Sequence, residues 1–381
     1  MSVGKIFSKP QKNHLRKIVE SIINFEGRHT VSKLNQSQID GTDVSNDIKF
    51  IRNINWALSD LLKQYHNEMG KFSGKASTGI LAIDDTVIEK RTMTKNMEGL
   101  LFHYSHTKGK NTYGHCIVSS HYRMGDISIP YDFEFYLNEK GAQKLKSPFK
   151  TKIEIAQELI ERFKPFGDER VFITMDSWYT SEKLVKTALA KGYHCIGAVK
   201  INRVFRLSEY GEKHKLSKYV SNLKNSSFES MILNGEAYLV RRIDVYMSGI
   251  GLVTLVITKR MKDRSIRCVL STDMYLSTES ILKIYGYRWD IEVGYLYLKD
   301  RLGMGHYQMR KLKAIKKYCA LVIIAYGLLE ILRVSDNEKS IGQSRKIFSI
   351  MNKRSYVDRI IEMSRRGVSK QDIYKKLKLV A

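Results

Sequence analysis

Cysteine is scarce and scattered in this chain. Cys116, Cys195, Cys268 and Cys319 share no metal-binding spacing, and their apolar neighbours suit buried free thiols in a reducing cytosol. A disulfide framework is therefore not expected. Long apolar runs are missing too: the longest, Cys319–Leu329, is too short to span a bilayer and reads as a buried helix. Met1–Lys12 lacks the apolar core of a secretory signal. His103, His106 and His115 lie close in sequence, but no second Cys or His cluster completes a zinc ligand set, so they read as ordinary polar or DNA-facing histidines. No activated nucleophile is recognisable, which argues against covalent catalysis.

Negative charge is also sparse. Against 65 Lys and Arg stand 39 Asp and Glu, a formal net charge of +26. Such an excess attracts polyphosphates and predicts salt-dependent binding, although charge alone also fits a ribosome-associated or membrane-surface protein. The last fifth of the chain, from His306, holds 18 Lys and Arg against 6 Asp and Glu, so +12 of the excess is concentrated there.

What the sequence does contain is a polar stripe on an apolar helical run, Tyr285 to Lys299. At roughly 100° per residue, Tyr285, Arg288, Glu292 and Lys299 fall within about 60° of one another, while Trp289, Ile291, Val293, Leu296 and Leu298 cover most of the remaining circumference. Charges set in such a surface need a partner, a metal or a phosphate. An i,i+4 ion pair between Arg288 and Glu292 is the plain alternative.

Two carboxylate positions lie upstream, each at the end of a short apolar run. Gly79–Ile83 leads into Asp84-Asp85-Thr86, and Val171–Met175 leads into Asp176-Ser177-Trp178-Tyr179, with Ser181 or Thr180 as the cap of a helix through about Lys191. Acids at the ends of buried strands are a common site geometry in α/β sheets. Three converging carboxylates suit two hard cations roughly 3.5–4 Å apart. Arg288 and Lys299, flanking Glu292, would then hold substrate phosphates.

Strand candidates at Ile80–Asp85, His115–Tyr122 and Ile129–Leu137 are followed by a helix over Lys152–Phe163, the strand to Met175, a short helix, a strand over His194–Val199 and the helix over Tyr285–Lys299. This is the ribonuclease H-like order.

The spacing Tyr285-x2-Arg288-x3-Glu292-x6-Lys299 resembles the signature of prokaryotic insertion-sequence DDE transposases of the Tyr-Arg-Glu-Lys group, and Leu81–Thr86 and Phe172–Ser177 resemble that family's two Asp motifs. The resemblance covers roughly Ile80 to Arg310. It implies an α/β fold with a ribonuclease H-like catalytic core, and a cut-and-paste transposase acting as DNA endonuclease and strand transferase. It further implies Asp85, Asp176 and Glu292 as catalytic metal ligands, with Asp84 the alternative to Asp85 because adjacent strand residues face opposite ways. Tyr285, Arg288 and Lys299 would bind DNA phosphates. Two Mg²⁺ ions are implied as cofactors, with Mn²⁺ able to substitute. The implied partners are terminal inverted repeats, target DNA and a second copy of the chain in a synaptic complex, in the prokaryotic cytosol at the nucleoid and away from membranes. A ribonuclease H-like nuclease without strand transfer, or an inactive transposase-derived DNA-binding protein, are the competing readings.

The expected organisation is a helical N-terminal region, 1–78, that binds DNA ends; a catalytic domain, 79–305; and a basic helical C-terminal region, 306–381, for DNA binding or dimerisation. The 115 residues between Asp176 and Glu292 exceed any simple connection, and a β-rich insertion is expected at about 200–272. Its Arg241-Arg242 and Lys259–Lys262 suit either DNA contact or solvated strand edges. Hairpin-forming relatives carry a base-stacking Trp late in the insertion; Ile266–Thr272 has none. Trp178 and Trp289 read as core or near-site packing residues rather than substitutes for it. Near the C-terminus, Val357–Arg365, Gly367 and Ser369–Leu377 suggest a helix, a turn and a capped second helix, either a helix-turn-helix or a dimerisation hairpin.

Overall fold

A computed structural model describes residues 5–38, 41–52, 56–90, 96–105 and 109–377. Four helices open the chain, α1 (Lys9–Asn24), α2 (Val31–Gln36), α3 (Val44–Arg52) and α4 (Leu58–Gly70). They lead into β1 (Thr78–Glu89), β2 (Leu101–Ser105), β3 (Lys110–Met124) and β4 (Ile127–Tyr136). Then come α5 (Glu139–Lys144), α6 (Lys152–Arg162), β5 (Arg170–Met175), α7 (Glu182–Ala190) and β6 (His194–Ala198).

The catalytic-type sheet forms for legible reasons. Gly79–Ile83 is apolar on both faces because both are buried: Leu81 and Ile83 join a core with Ile155 and Leu159 of α6 and Leu184 and Val185 of α7, and Ile80 and Ala82 are buried on the other face. Helix α6 starts where Thr151 and Glu154 make a reciprocal capping box, and α7 where Ser181 accepts from the Leu184 N–H. Thr180 is turned the other way, its hydroxyl donating to the Asp176 carbonyl at 2.6 Å. Strands β1, β5 and β6 are parallel, while β3 pairs antiparallel with β1, β2 and β4. The resulting order, β4-β3-β1-β5-β6, is that of a ribonuclease H-like core.

The segment between α7 and the signature helix contains β7 (Val204–Arg206), β8 (His214–Lys215), α8 (Leu216–Ser221), β9 (Glu229–Leu233), β10 (Glu236–Met247), β11 (Gly251–Arg260) and β12 (Ile266–Ser271). Strand β12 pairs antiparallel with β6, so this β-rich segment continues the core sheet into one of twelve strands. Its arginines are mostly engaged internally. Arg242 donates to the Met274 and Leu276 carbonyls at 2.6 and 2.5 Å, Arg241 to the Ser227 carbonyl, and Arg260 pairs with Glu236.

The run expected as one helix from Tyr285 to Lys299 is interrupted. Helix α9 (Thr278–Gly286) ends before Arg288, α10 (Trp289–Leu296) begins after it, and Tyr297–Arg301 forms a π-helical turn. The wider turn re-aims Lys299, whose Nζ reaches the Thr86 hydroxyl at 3.0 Å.

Helices α11 (Leu312–Ser335), α12 (Ile341–Arg365) and α13 (Lys370–Lys376) complete the chain. By length and composition α11 is apolar enough to cross a membrane, yet two thirds of its apolar window is buried inside the protein. It is covered by Ile18, Ile22, Phe50 and Leu61 of α1, α3 and α4 and by Ile129 and Phe133 of β4, so the N-terminal helices share one core with it. Helix α12 presents Ile350, Met351, Val357 and Ile361 to solvent, and Gly367, at φ +75°, makes the turn into α13.

Candidate active site

Strand β1 outruns its parallel neighbour. Pairing with β5 stops at Ile83–Met175, leaving residues 84–89 with one free edge above the end of β5. A cleft of about 1530 Å³ opens there, lined by Asp84, Asp85, Asp176 and Lys299 among others.

The two adjacent acids face opposite ways, as strand alternation requires. Asp84 lies on the α10 side. Its carboxylate accepts from Arg288 Nη1 at 3.1 Å, and Arg288 Nη2 donates to Glu292 Oε1 at 2.5 Å. The register that pairs Ala82 with Thr174 and Ile83 with Met175 brings Asp176 alongside Asp84. Burial, reinforced by the Asp176 charge, pushes the Asp84 carboxyl from 3.8 up to about 7, against the opposing pull of the Asp85 N–H and Arg288. Asp85 is on the other side of the strand, where it pairs with Lys152 at 2.7 Å and accepts from the Tyr179 hydroxyl at 2.8 Å. Asp176 holds the loop after β5 by accepting from the Trp178 and Tyr179 N–H groups.

Sequence reading brought Asp85, Asp176 and Glu292 together, with Asp84 as the alternative to Asp85; Arg288 links Asp84 to Glu292, Asp176 lies close enough to Asp84 for its charge to be felt there, and Asp84, Asp85 and Asp176 all line the cleft. Arg288 is the hub of this group, bridging Asp84 and Glu292 and interacting with the Tyr285 hydroxyl. Burial lowers the Lys299 ammonium pKa from its usual value. Among the described residues no three acids form a metal-binding group, and Arg288 stands between Asp84 and Glu292. Asp84, Asp85, Asp176 and Glu292 offer only carboxylate oxygens, a donor type that suits Mg²⁺ or Mn²⁺.

Several residues take roles that differ from those read in the sequence. Trp178 and Trp289 are 46% and 60% exposed, so neither is a core residue; Trp178 lines the cleft and packs edge-on against Tyr179, a near-site packing position, and Trp289 opens α10 directly after Arg288. His115 is committed elsewhere: Nε2 donates to the Glu98 carbonyl, which leaves Nδ1 to accept from the Tyr307 hydroxyl at 2.6 Å. His103 is buried, and His106 lies outside the described residues. Sequence reading missed Lys90 and Lys152, cleft lysines with no motif around them. Burial lowers the Lys90 ammonium from 10.5 to about 7, and Nζ donates to the Gly305 and Tyr307 carbonyls.

Comparison with known families agrees with this architecture. The model of the archaeal ISC1217 transposase family matches residues 125–341, and that of the DDE superfamily endonucleases matches residues 10–215. Among curated proteins nothing matches the chain. Each family match spans more than half of the 381 residues, one containing Glu292, the other Asp84 and both Asp176; the chain belongs to the DDE transposases of insertion sequences.

Proposed function

We propose that this transposase cuts and pastes its element, hydrolysing a phosphodiester at each transposon end and joining the freed 3′ ends to target DNA. The observation that carries the reading is that Arg288 links Asp84 to Glu292 on the face of β1 where Lys299 reaches Thr86, with Asp176 alongside Asp84 at the end of β5. We assign the ligand role to Asp84 rather than Asp85 because Arg288 joins Asp84 to Glu292 on one face of β1, whereas Asp85 pairs with Lys152 and Tyr179 on the other.

Two divalent cations, when held by Asp84, Asp176 and Glu292, would lower the pKa of an attacking water and stabilise the leaving 3′-oxygen. The chain's own contribution is positioning. Arg288 turns from the two carboxylates onto the phosphate beside the cleaved bond, Tyr285 donates to the same phosphate, and Lys299 grips its neighbour. Water attacks phosphorus and the 3′-oxygen leaves as a hydroxyl. In the joining step that 3′-hydroxyl attacks a target phosphate and displaces the target's own 3′-oxygen, so the count of phosphodiester bonds is unchanged.

A dimer assembled on two ends follows from the need to join them. Residues 1–78 would contact the ends and 306–381 would bind DNA or pair protomers, around the catalytic segment 79–305. The Tyr-Arg-Glu-Lys subgroup rests on the four signature residues alone.

The test is an excision assay with purified protein, Mg²⁺ or Mn²⁺, and a supercoiled plasmid carrying the gene's own flanking DNA as a mini-element. Boundary-specific cleavage and joining by wild type, abolished in Asp176→Asn, is expected. Cleavage without joining would favour a nuclease, and cutting that survives Asp176→Asn would refute the site.

A further inference from the structure

The cleft beside the acids is not only cationic. Phe102 and Tyr104, one residue apart on β2 and so on one face of that edge strand, are 58% and 57% exposed, and Trp178 is 46% exposed; all three line the cleft. Lys90, Lys152, Lys299 and Arg310 line it too. Lys152 Nζ lies 5.8 Å from the rings of both Trp178 and Tyr136, and the Trp178 ring is braced edge-on by Tyr179, with centroids 4.7 Å apart.

Half-exposed aromatic faces set among cations match one ligand chemistry well. An intact duplex offers phosphates and base edges, but its base faces are already stacked on one another. Unpaired nucleotides offer both a phosphate and a free π-face, which is how single-strand grooves combine lysines with stacking rings. The cleft volume of about 1530 Å³ also exceeds the ~300–1,000 Å³ of an ordinary small-molecule pocket.

We propose that Trp178, Phe102 and Tyr104 form a stacking site for unpaired nucleobases next to the carboxylates, so that the DNA end is bound with its terminal pairs opened. This rests on DNA being the substrate. The position of Trp178 makes the inference local: its backbone N–H donates to Asp176 Oδ1 at 2.9 Å, so a base stacked on this ring lies next to the Asp176 carboxylate.

The test measures binding in EDTA, so that cleavage cannot interfere, of a labelled oligothymidylate of about 20 nucleotides, longer than the ~4–16 covered by typical single-strand sites, and of the matching duplex. Wild type should bind the single strand with quenching of tryptophan fluorescence. Trp178→Ala should weaken single-strand binding by about tenfold, remove most of the quenching and leave duplex affinity within about twofold, while Trp178→Phe restores most of the affinity. The double variant Phe102→Ala/Tyr104→Ala, on an exposed edge strand, should act in the same direction and keeps the test open should Trp178→Ala fold poorly. Equal losses on both DNAs, or none, would overturn the inference. Duplex binding without single-strand binding would overturn it while leaving DNA as substrate; binding of neither would overturn both readings.

Discussion

Asp84 and Asp85 are consecutive, yet Asp84 meets Arg288 at 3.1 Å on one side of β1 and Asp85 meets Lys152 at 2.7 Å on the other. Only one of them shares a face with Glu292. Asp84→Asn should therefore abolish end cleavage as completely as Asp176→Asn, by roughly 10³-fold or more, as expected when a metal ligand is lost. Asp85→Asn should retain measurable cleavage. Single-turnover excision assays of the three variants decide it, and the reverse ranking would move the ligand role to Asp85.

Arg288 joins two carboxylates through the two ends of a planar fork. Lysine has no such geometry. Arg288→Ala should lower the slope of log affinity against log salt by about one phosphate contact, while Arg288→Lys should keep the slope and recover only part of the affinity. Titrations of end DNA at several salt concentrations would show this, and a full rescue by Lys would argue for a simple point charge.

Arg242 belongs to the scaffold. It donates to two backbone carbonyls and to the Thr254 hydroxyl at 3.3 Å. Arg242→Ala should cost about 1–3 kcal/mol of stability through unpaired acceptors and leave the salt slope of DNA binding unchanged. Urea melts paired with DNA titrations separate the two outcomes.

Gly327 on α11 faces Tyr65, and a Cβ there would lie 2.3 Å from the Tyr65 ring. Tyr65 is fully buried and its hydroxyl donates to the Pro130 carbonyl, so it has little room to yield. Gly327→Ala should destabilise the protein by about 1–3 kcal/mol through overpacking, despite the usual gain of Ala over Gly in a helix. A denaturant midpoint above wild type would refute the close approach.

Burial lowers His29, His103, His115 and His121 from 6.5 to about 4. The unfolded chain takes up these protons near pH 6.5, the folded chain only near pH 4. Stability is therefore complete above pH 6.5 and falls on acidification from 6.5 towards 4, by at most about 1.4 kcal/mol per pH unit per histidine. Thermal melts at pH 7, 6 and 5, with His115→Gln reducing the slope, would measure it.

Much of this protein was legible in one dimension. Short apolar runs ending in Asp are local features: strand length and burial on both faces dictate them, and the order of strands and helices follows from where Gly, Pro and capping residues interrupt the pattern. The signature residues could be read because helical periodicity fixes their relative bearing, even though Tyr287 and Arg288 interrupt the helix and a π turn shifts Lys299. Strand β2 left no such trace, since Leu101–Ser105 is short and pairs with only one end of β3. Lys152 was equally silent: nothing within α6 reveals that its ammonium crosses to Asp85.

The sequence by itself determined the class of chemistry, through carboxylates at strand ends and a basic, polar stripe on an apolar helix, because these depend on residue type and spacing. Tertiary structure alone decided which of two adjacent aspartates faces Glu292, that Trp178 stands in a cleft rather than a core, and that the insertion extends the main sheet. Those outcomes depend on register, on strand ends that do not match and on contacts between residues far apart in the chain, and no local pattern encodes them.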